Sequence, residues 1–258
     1  MRPQRDENRH LPPVVTEIVL AFALLSRLPT PHLPDSAFAR GAQAVWAYPL
    51  VGLVTASIAS FAALSLLSLG LPVSVASGIG LALLTVLTGA LHEDGLADVA
   101  DGFWGAYSTE RRLEIMKDSQ IGSYGTLALI FVTGLRWLAW SALLVISPGA
   151  LIAAAVLSRA AMPVLMALLP HARAAGLSHS VGRPARPRVF AGMIIALVLA
   201  VLLLGAPAVA ASVSVALTAA FMAWLARDRI GGQTGDVLGA TQQVSELTAL
   251  CLLLLLLQ

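Results

Sequence analysis

Seven of the chain's 14 acidic residues fall between His92 and Asp118: Glu93, Asp94, Asp98, Asp101, Glu110, Glu114 and Asp118. Read as a helix, Asp94, Asp98 and Asp101 stand at i, i+4 and i+7, which puts three carboxylates on one stripe. Like charges so placed repel, and the pattern calls for a cation. Oxygen-only ligands favour a hard divalent ion, Mg²⁺ or Mn²⁺. Seven residues rise roughly 10 Å along a straight helix. Either two ions lie along the stripe, or the backbone bends at Gly95 or Gly102. A solvated acidic face is the plainer alternative. Against it, small apolar residues rather than polar ones separate the acids.

Other residues offer partners to this stripe. A short amphipathic helix is expected over Ser108–Ile121, capped by Ser108 or Thr109. On it Glu114 and Asp118 share a face at i, i+4 and can complete a metal cage from a second element. Lys117, the only lysine, reads as a point charge for phosphate or as an i, i+3 partner of Glu114. The run Gly231-Gly232-Gln233-Thr234-Gly235-Asp236 is either a backbone cradle for phosphate or a flexible turn. Asp236 and Glu246 can meet the acidic segment in space. Arg136 and Arg159 lie near the middle of apolar runs, where a charge must pair with a carboxylate or hold an anion. Arg27 is of the same kind. His92 borders the acids as a base, a ligand or a hydrogen-bonding interfacial histidine. His171 and His179 carry no evident cluster.

The elements that must position these groups are membrane helices. Apolar residues make up 58% of the 258 and charged residues 12%, with a mean hydropathy of +0.84. A soluble globule carries about 25% charged residues. Spans of about 20 apolar residues are read at Val45–Leu69, Val73–Leu91, Tyr124–Ile146, Ala150–Leu169, Val189–Leu204, Ala208–Ala226 and Val244–Leu257, the last extending upstream if Gln242–Gln243 joins it. The run Val14–Leu28 contains Glu17 and Arg27 and reads as an interfacial or re-entrant helix. The fold class expected is all-α: a polytopic transmembrane bundle of about seven spans, one integral domain over 1–258, with an acidic cytoplasmic segment at 92–123. Arginine-rich long loops place that face in the cytoplasm, including Arg2, Arg5 and Arg9, with the C-terminus outside. No cleaved signal peptide is expected. A net charge of +2 and a lone Cys251 point to neither a nucleic-acid partner nor a disulfide framework.

Several stretches together resemble one family. His92-Glu93-Asp94-Gly95-Leu96-Ala97-Asp98-Val99-Ala100-Asp101-Gly102 is similar to the acidic motif of cobalamin-5′-phosphate synthases. Ser26-Arg27-Leu28-Pro29, the run from Glu114 through Lys117-Asp118-Ser119 to Gly125, Ser158-Arg159-Ala160 and the run Gly231–Ala240 follow in the family's order. Glu93 fills a position that is often apolar there. The resemblance implies a Mg²⁺-dependent transferase of the cytoplasmic (inner) membrane, its active site facing the cytoplasm. Its substrates would be adenosylcobinamide-GDP and α-ribazole or its 5′-phosphate, with GMP released. It implies metal ligands at Asp94, Asp98, Asp101 and Asp118, with catalytic roles for the first three and Lys117. It implies substrate contacts from Arg27, His92, Glu114, Arg159, Gly235 and Asp236. The base is Asp98, Asp101 or His92. The bilayer is a partner, and a homo-oligomer is left open. A phospholipid-forming CDP-alcohol phosphotransferase is the rival enzyme, but its motif has Ala-Arg where this chain has Ala97-Asp98. A transporter is the rival of another class, without the paired broken helices that class shows.

Overall fold

The computed structural model describes residues 11–258; Arg2, Arg5 and Arg9 lie outside them. Twelve α-helices follow in order: α1 Pro13–Leu25, α2 Asp35–Phe38, α3 Tyr48–Ser68, α4 Val73–Thr88, α5 Leu91–Gly105, α6 Thr109–Ile115, α7 Ser123–Ile146, α8 Pro148–Leu168, α9 Leu177–Val181, α10 Arg186–Leu204, α11 Pro207–Ile230 and α12 Gly235–Leu257. A 3₁₀ segment, Gly41–Ala47, leads into α3. Six helices are long and apolar enough to cross a membrane, and α4 with α5 supplies a seventh if the bent pair counts as one span. Among the described residues the sole β feature is an isolated bridge between His171 and Gln233.

Each short turn on one side, Leu69–Pro72, Ser147 and Gly205–Ala206, is uncharged. On the other side the polar connections touch one another. Arg112 and Thr109 donate to the Arg229 carbonyl, Arg173 to that of Leu113, and Ala172 N–H to that of Gln233. The arginine-bearing loops therefore form one polar face. Helix α8 is the axis of the bundle, buried along most of its length and packed on α3, α10, α11 and α12.

The first departure from sequence expectation is the segment His92–Gly105. It is not loop. Gly89 closes α4 with φ +65°, Ala90 follows at φ +56°, and the chain turns through 87° into α5. Ala90 has a side chain where glycine is favoured, at a cost of about 1–2 kcal/mol. The Arg27 side chain lies across Gly89 where any Cβ would sit, and the Arg27 backbone N–H donates to the Leu87 carbonyl. Helix α5 then runs beside α7 and α12, with Glu93 against Arg136 and Asp101 against Gly122. Arg136 lies 13 residues into α7, about 20 Å from its start. The first turn of α5 is thus deep in the bundle, and its last turn is at the polar face.

The second departure is α12. It begins at Gly235 rather than Val244, because Gln242, Gln243 and Glu246 find buried polar partners and need no turn to reach water. The third is α6, which stops at Ile115 rather than running to Ile121. Helix α1 is a short apolar helix. Its 13 residues rise about 20 Å, short of a hydrocarbon core of about 30 Å. Its buried Glu17 accepts hydrogen bonds from Arg40, Trp46 and Arg188, so this helix is tied to the arginine-rich face.

Candidate active site

Asp94 is exposed, Asp98 half-buried and Asp101 buried. Asp98 faces Asp94 and Asp101 on its own helix and Asp236 from the first turn of α12. Gly95 permits this approach, since a Cβ there would strike the Asp236 backbone. Asp236 is held by Arg173 at 3.0 Å and by the Thr234 hydroxyl at 3.2 Å. Neither Asp94 nor Asp98 has a hydrogen-bond donor among the described residues, so their oxygens remain available. Helix α5 continues unbroken through Gly95 and Gly102.

Asp101 has a different occupation. Its carboxylate accepts from the N–H groups of Gly122 at 2.7 Å and Gly125 at 2.9 Å. These are among the unpaired donors at the start of α7, where negative charge is favoured. A Cβ on either glycine would collide with that carboxylate. Asp101 thus ties the end of α5 to α7.

The Gly231–Asp236 run is latched rather than loose. Gly231 ends α11 in the left-handed region, φ +75°. Gln233 exchanges backbone hydrogen bonds with Pro170 and Ala172, and its amide meets His171 Nδ1 at 2.9 Å. Thr234 accepts from the Val237 N–H and caps α12. Gly235 has open space beside it.

Between the ends of α1 and α8, the starts of α5 and α12 and residues 171–181 lies a cleft. His92, Asp94, His171, Arg173, Gln233 and Asp236 line it, with apolar walls from Leu25, Met162 and Met166. His92 is 1% exposed, and neither ring nitrogen has a partner among the described residues. A buried polar group left unpaired costs about 1–3 kcal/mol. His171 and His179, without a cluster in sequence, stand with rings 5.2 Å apart on this wall. Burial, then the charges of His179 and Arg183, hold the His171 ring below its ordinary pKa. Arg173 is the cleft residue that sequence reasoning did not single out, and His171, His179 and the Gln233 side chain are ones to which it gave no role in a site. The bias to arginine in 170–188 was legible only as topology.

Deeper along α5, Glu93 turns away from the aspartate stripe. Arg136 meets Glu93 at 3.2 Å, Glu246 at 2.7 Å and the Gln243 amide oxygen at 2.5 Å. Arg159 lies 3.8 Å from Glu246 and donates to the Ala155 carbonyl. The Gln242 amide bonds Ser158 and Glu246, and that of Gln243 bonds Glu93. Two cations and two anions balance, as burial in a bilayer demands. Glu93 is the second anion of this set. Arg159, expected at substrate, is 1% exposed and belongs to this network behind His92.

The remaining expected residues lie on the polar surface. Glu114 pairs with Arg111 at 2.9 Å rather than with Lys117. Asp118 lies beyond the end of α6 and accepts from the Gln120 N–H, so it shares no helical face with Glu114. Lys117 is exposed next to it. Met116, buried against Gly102, holds this segment to α5. Among the described residues, no three His, Cys, Asp or Glu side chains form a ready-made metal cage. Asp94 and Asp98 from α5 and Asp236 from α12 are near enough to act on one another's charge.

Fold and site together define a polytopic helical membrane protein with a mixed acidic and basic cleft at one membrane face. The chain matches the family described as cobalamin-5-phosphate synthase over residues 17–254, and it belongs to that family. An adenosylcobinamide-GDP ribazoletransferase of Bradyrhizobium diazoefficiens is 39% identical over 242 residues, covering 92% of each chain. Proteins of the same description from Azorhizobium caulinodans and Rhizobium etli are both 41% identical. They cover 92% and 90% of this chain and 94% of their own. No solved structure matches.

Proposed function

We propose that this protein is a Mg²⁺-dependent transferase of the cytoplasmic membrane that joins adenosylcobinamide-GDP to α-ribazole or its 5′-phosphate and releases GMP. The observation that carries the reading is the meeting of Asp94 with Asp236 and Arg173 in one cleft, with Asp98 one turn further along α5 and under the charge of both acids, in a chain whose relatives bear that name. The arginine-rich face supports a cytoplasmic opening.

In the reaction a ribazole hydroxyl oxygen bonds to the phosphorus that carries cobinamide. The bond from that phosphorus to the GMP oxygen breaks, and the hydroxyl proton leaves. Asp94, Asp98 and Asp236 would hold the divalent ion, which when bound neutralises phosphate oxygens. Arg173 is already fixed on Asp236, and its guanidinium is placed to meet a phosphate on the same wall. His92, with both ring nitrogens unpartnered, takes the hydroxyl proton. The Arg136–Glu246–Arg159 network holds the first turn of α5, and His92 with it, in place. Asp101 positions the other end of α5. Lys117, exposed at the polar face, adds a cation for the diphosphate.

The test is GMP release by purified protein in liposomes, given adenosylcobinamide-GDP and α-ribazole. Release that stops with EDTA and returns with Mg²⁺ is expected. No GMP under these conditions overturns the reading, and release that EDTA leaves untouched removes the metal from it.

A further inference from the structure

Away from the cleft, an apolar groove of about 410 Å³ opens between α8, α10 and α11. Its walls include Ala161, Leu165, Leu197 and Ala220, and its rim residues Leu168, Phe190 and Ile194 are 61%, 62% and 46% exposed. At the polar face it runs into a second hollow that shares Val164, Leu168, Phe190 and Met193 with it and ends at Arg183 and Arg186. Apolar trough and basic mouth are therefore one continuous surface.

We propose that this surface is a binding site for an anionic phospholipid, one acyl chain lying in the groove and the phosphate at Arg183 and Arg186. Length supports that occupant. From Arg186 to Leu197 helix α10 rises about 16 Å, close to one leaflet's share of a hydrocarbon core of about 30 Å. Charge supports it as well. The Arg183 guanidinium is fixed by two donations to the Ala167 carbonyl, at 2.9 and 2.6 Å, at the end of α8. Its remaining N–H groups are left for an incoming anion. Arg186 is exposed, and neither arginine has a carboxylate partner among the described residues. Two unneutralised cations at the head of an apolar trough match a negatively charged headgroup and not a zwitterionic one. The site is separate from the proposed transfer chemistry and stands without it.

Native mass spectrometry of the full-length protein released from detergent tests this. The probes are phosphatidylglycerol and phosphatidylcholine with identical acyl chains. One phosphatidylglycerol should be retained in preference to phosphatidylcholine. Arg186→Gln should weaken retention about fivefold, and Arg183→Gln with Arg186→Gln on the order of 30-fold. Ala220→Phe, which fills the trough from an exposed position, should abolish it without changing thermal stability. Equal retention of the two lipids, or a preference that survives both the double arginine variant and Ala220→Phe, overturns the proposal. So does displacement by millimolar inorganic phosphate, which would reduce the site to its headgroup. A dimer mass lost on Ala220→Phe, with no lipid bound, would assign the groove to a second copy instead.

Discussion

Replacing Asp101 with alanine separates two roles that a carboxylate in this motif can play. In the structure both oxygens are engaged by the start of α7, through Gly122 at 2.7 Å and Gly125 at 2.9 Å. Hydrogen bonds to a charged acceptor are worth about 1.5–3 kcal/mol each. Gly122 is partly exposed and can recover water, whereas the Gly125 N–H is buried and cannot. The expected loss is therefore roughly 2–4 kcal/mol. For a chain of this size that corresponds to about 4–16 °C in melting temperature. Asp101→Asn keeps one acceptor oxygen and should lose about half as much. The five tryptophans report the melt by fluorescence in detergent or lipid. Limited trypsin digestion at Arg111, Arg112 and Lys117 gives a second reading, because residues 106–122 lose their anchor when α5 and α7 part. Cleavage there should quicken in both variants. An Asp101→Ala protein that melts and digests like the parent, yet releases no GMP, would refute the positioning role and return Asp101 to the chemistry.

Three other outcomes follow from the geometry. Asp98 faces three other carboxylates. Asp98→Asn should therefore melt slightly higher than the parent without added metal, gain little from Mg²⁺ that stabilises the parent, and lose GMP release at least 100-fold; a Mg²⁺-induced shift equal to the parent's would remove Asp98 from the metal site. Arg136→Met leaves Glu93 and Glu246 buried without their shared partner and should cost about 3–5 kcal/mol. Pairing Arg136→Gln with Glu246→Gln should recover much of that loss in a melting-temperature comparison, and no recovery would show that charge balance is not what the network supplies. Burial alone would raise the Glu17 carboxyl, but hydrogen bonds from Trp46 and Arg40 and the charges of Arg188 and Arg40 hold it below the ordinary 4.5. A depressed carboxylate stabilises the fold above its unfolded pKa, and that stability is lost as pH falls through the folded one. The parent should lose stability on acidification below about pH 4.5 more steeply than Glu17→Gln, and parallel curves would sink that assignment.

The sequence by itself determined what depends on composition and near neighbours. The excess of apolar residues, the positions of five of the six long spans and the shortness of the apolar helix α1 were legible because a bilayer demands uninterrupted apolar length. The aspartate stripe was legible because helical periodicity is local. Its motifs also carried the family. Only the tertiary structure decided which way each polar side chain faces, because a buried charge is settled by partners far away in the chain. Glu93 and Asp94 are adjacent, yet one closes a network with Arg136 while the other opens to the cleft. Asp101 is spoken for by α7. Gln242 and Gln243 read as a polar turn, but Glu93, Arg136 and Ser158 of α5, α7 and α8 give them and Glu246 buried partners within one helix. Arg173, His171 and Gln233 joined the cleft through loop contacts with no periodicity to read. The chemistry of the acidic segment was local, and the choice of acids facing the substrate was not.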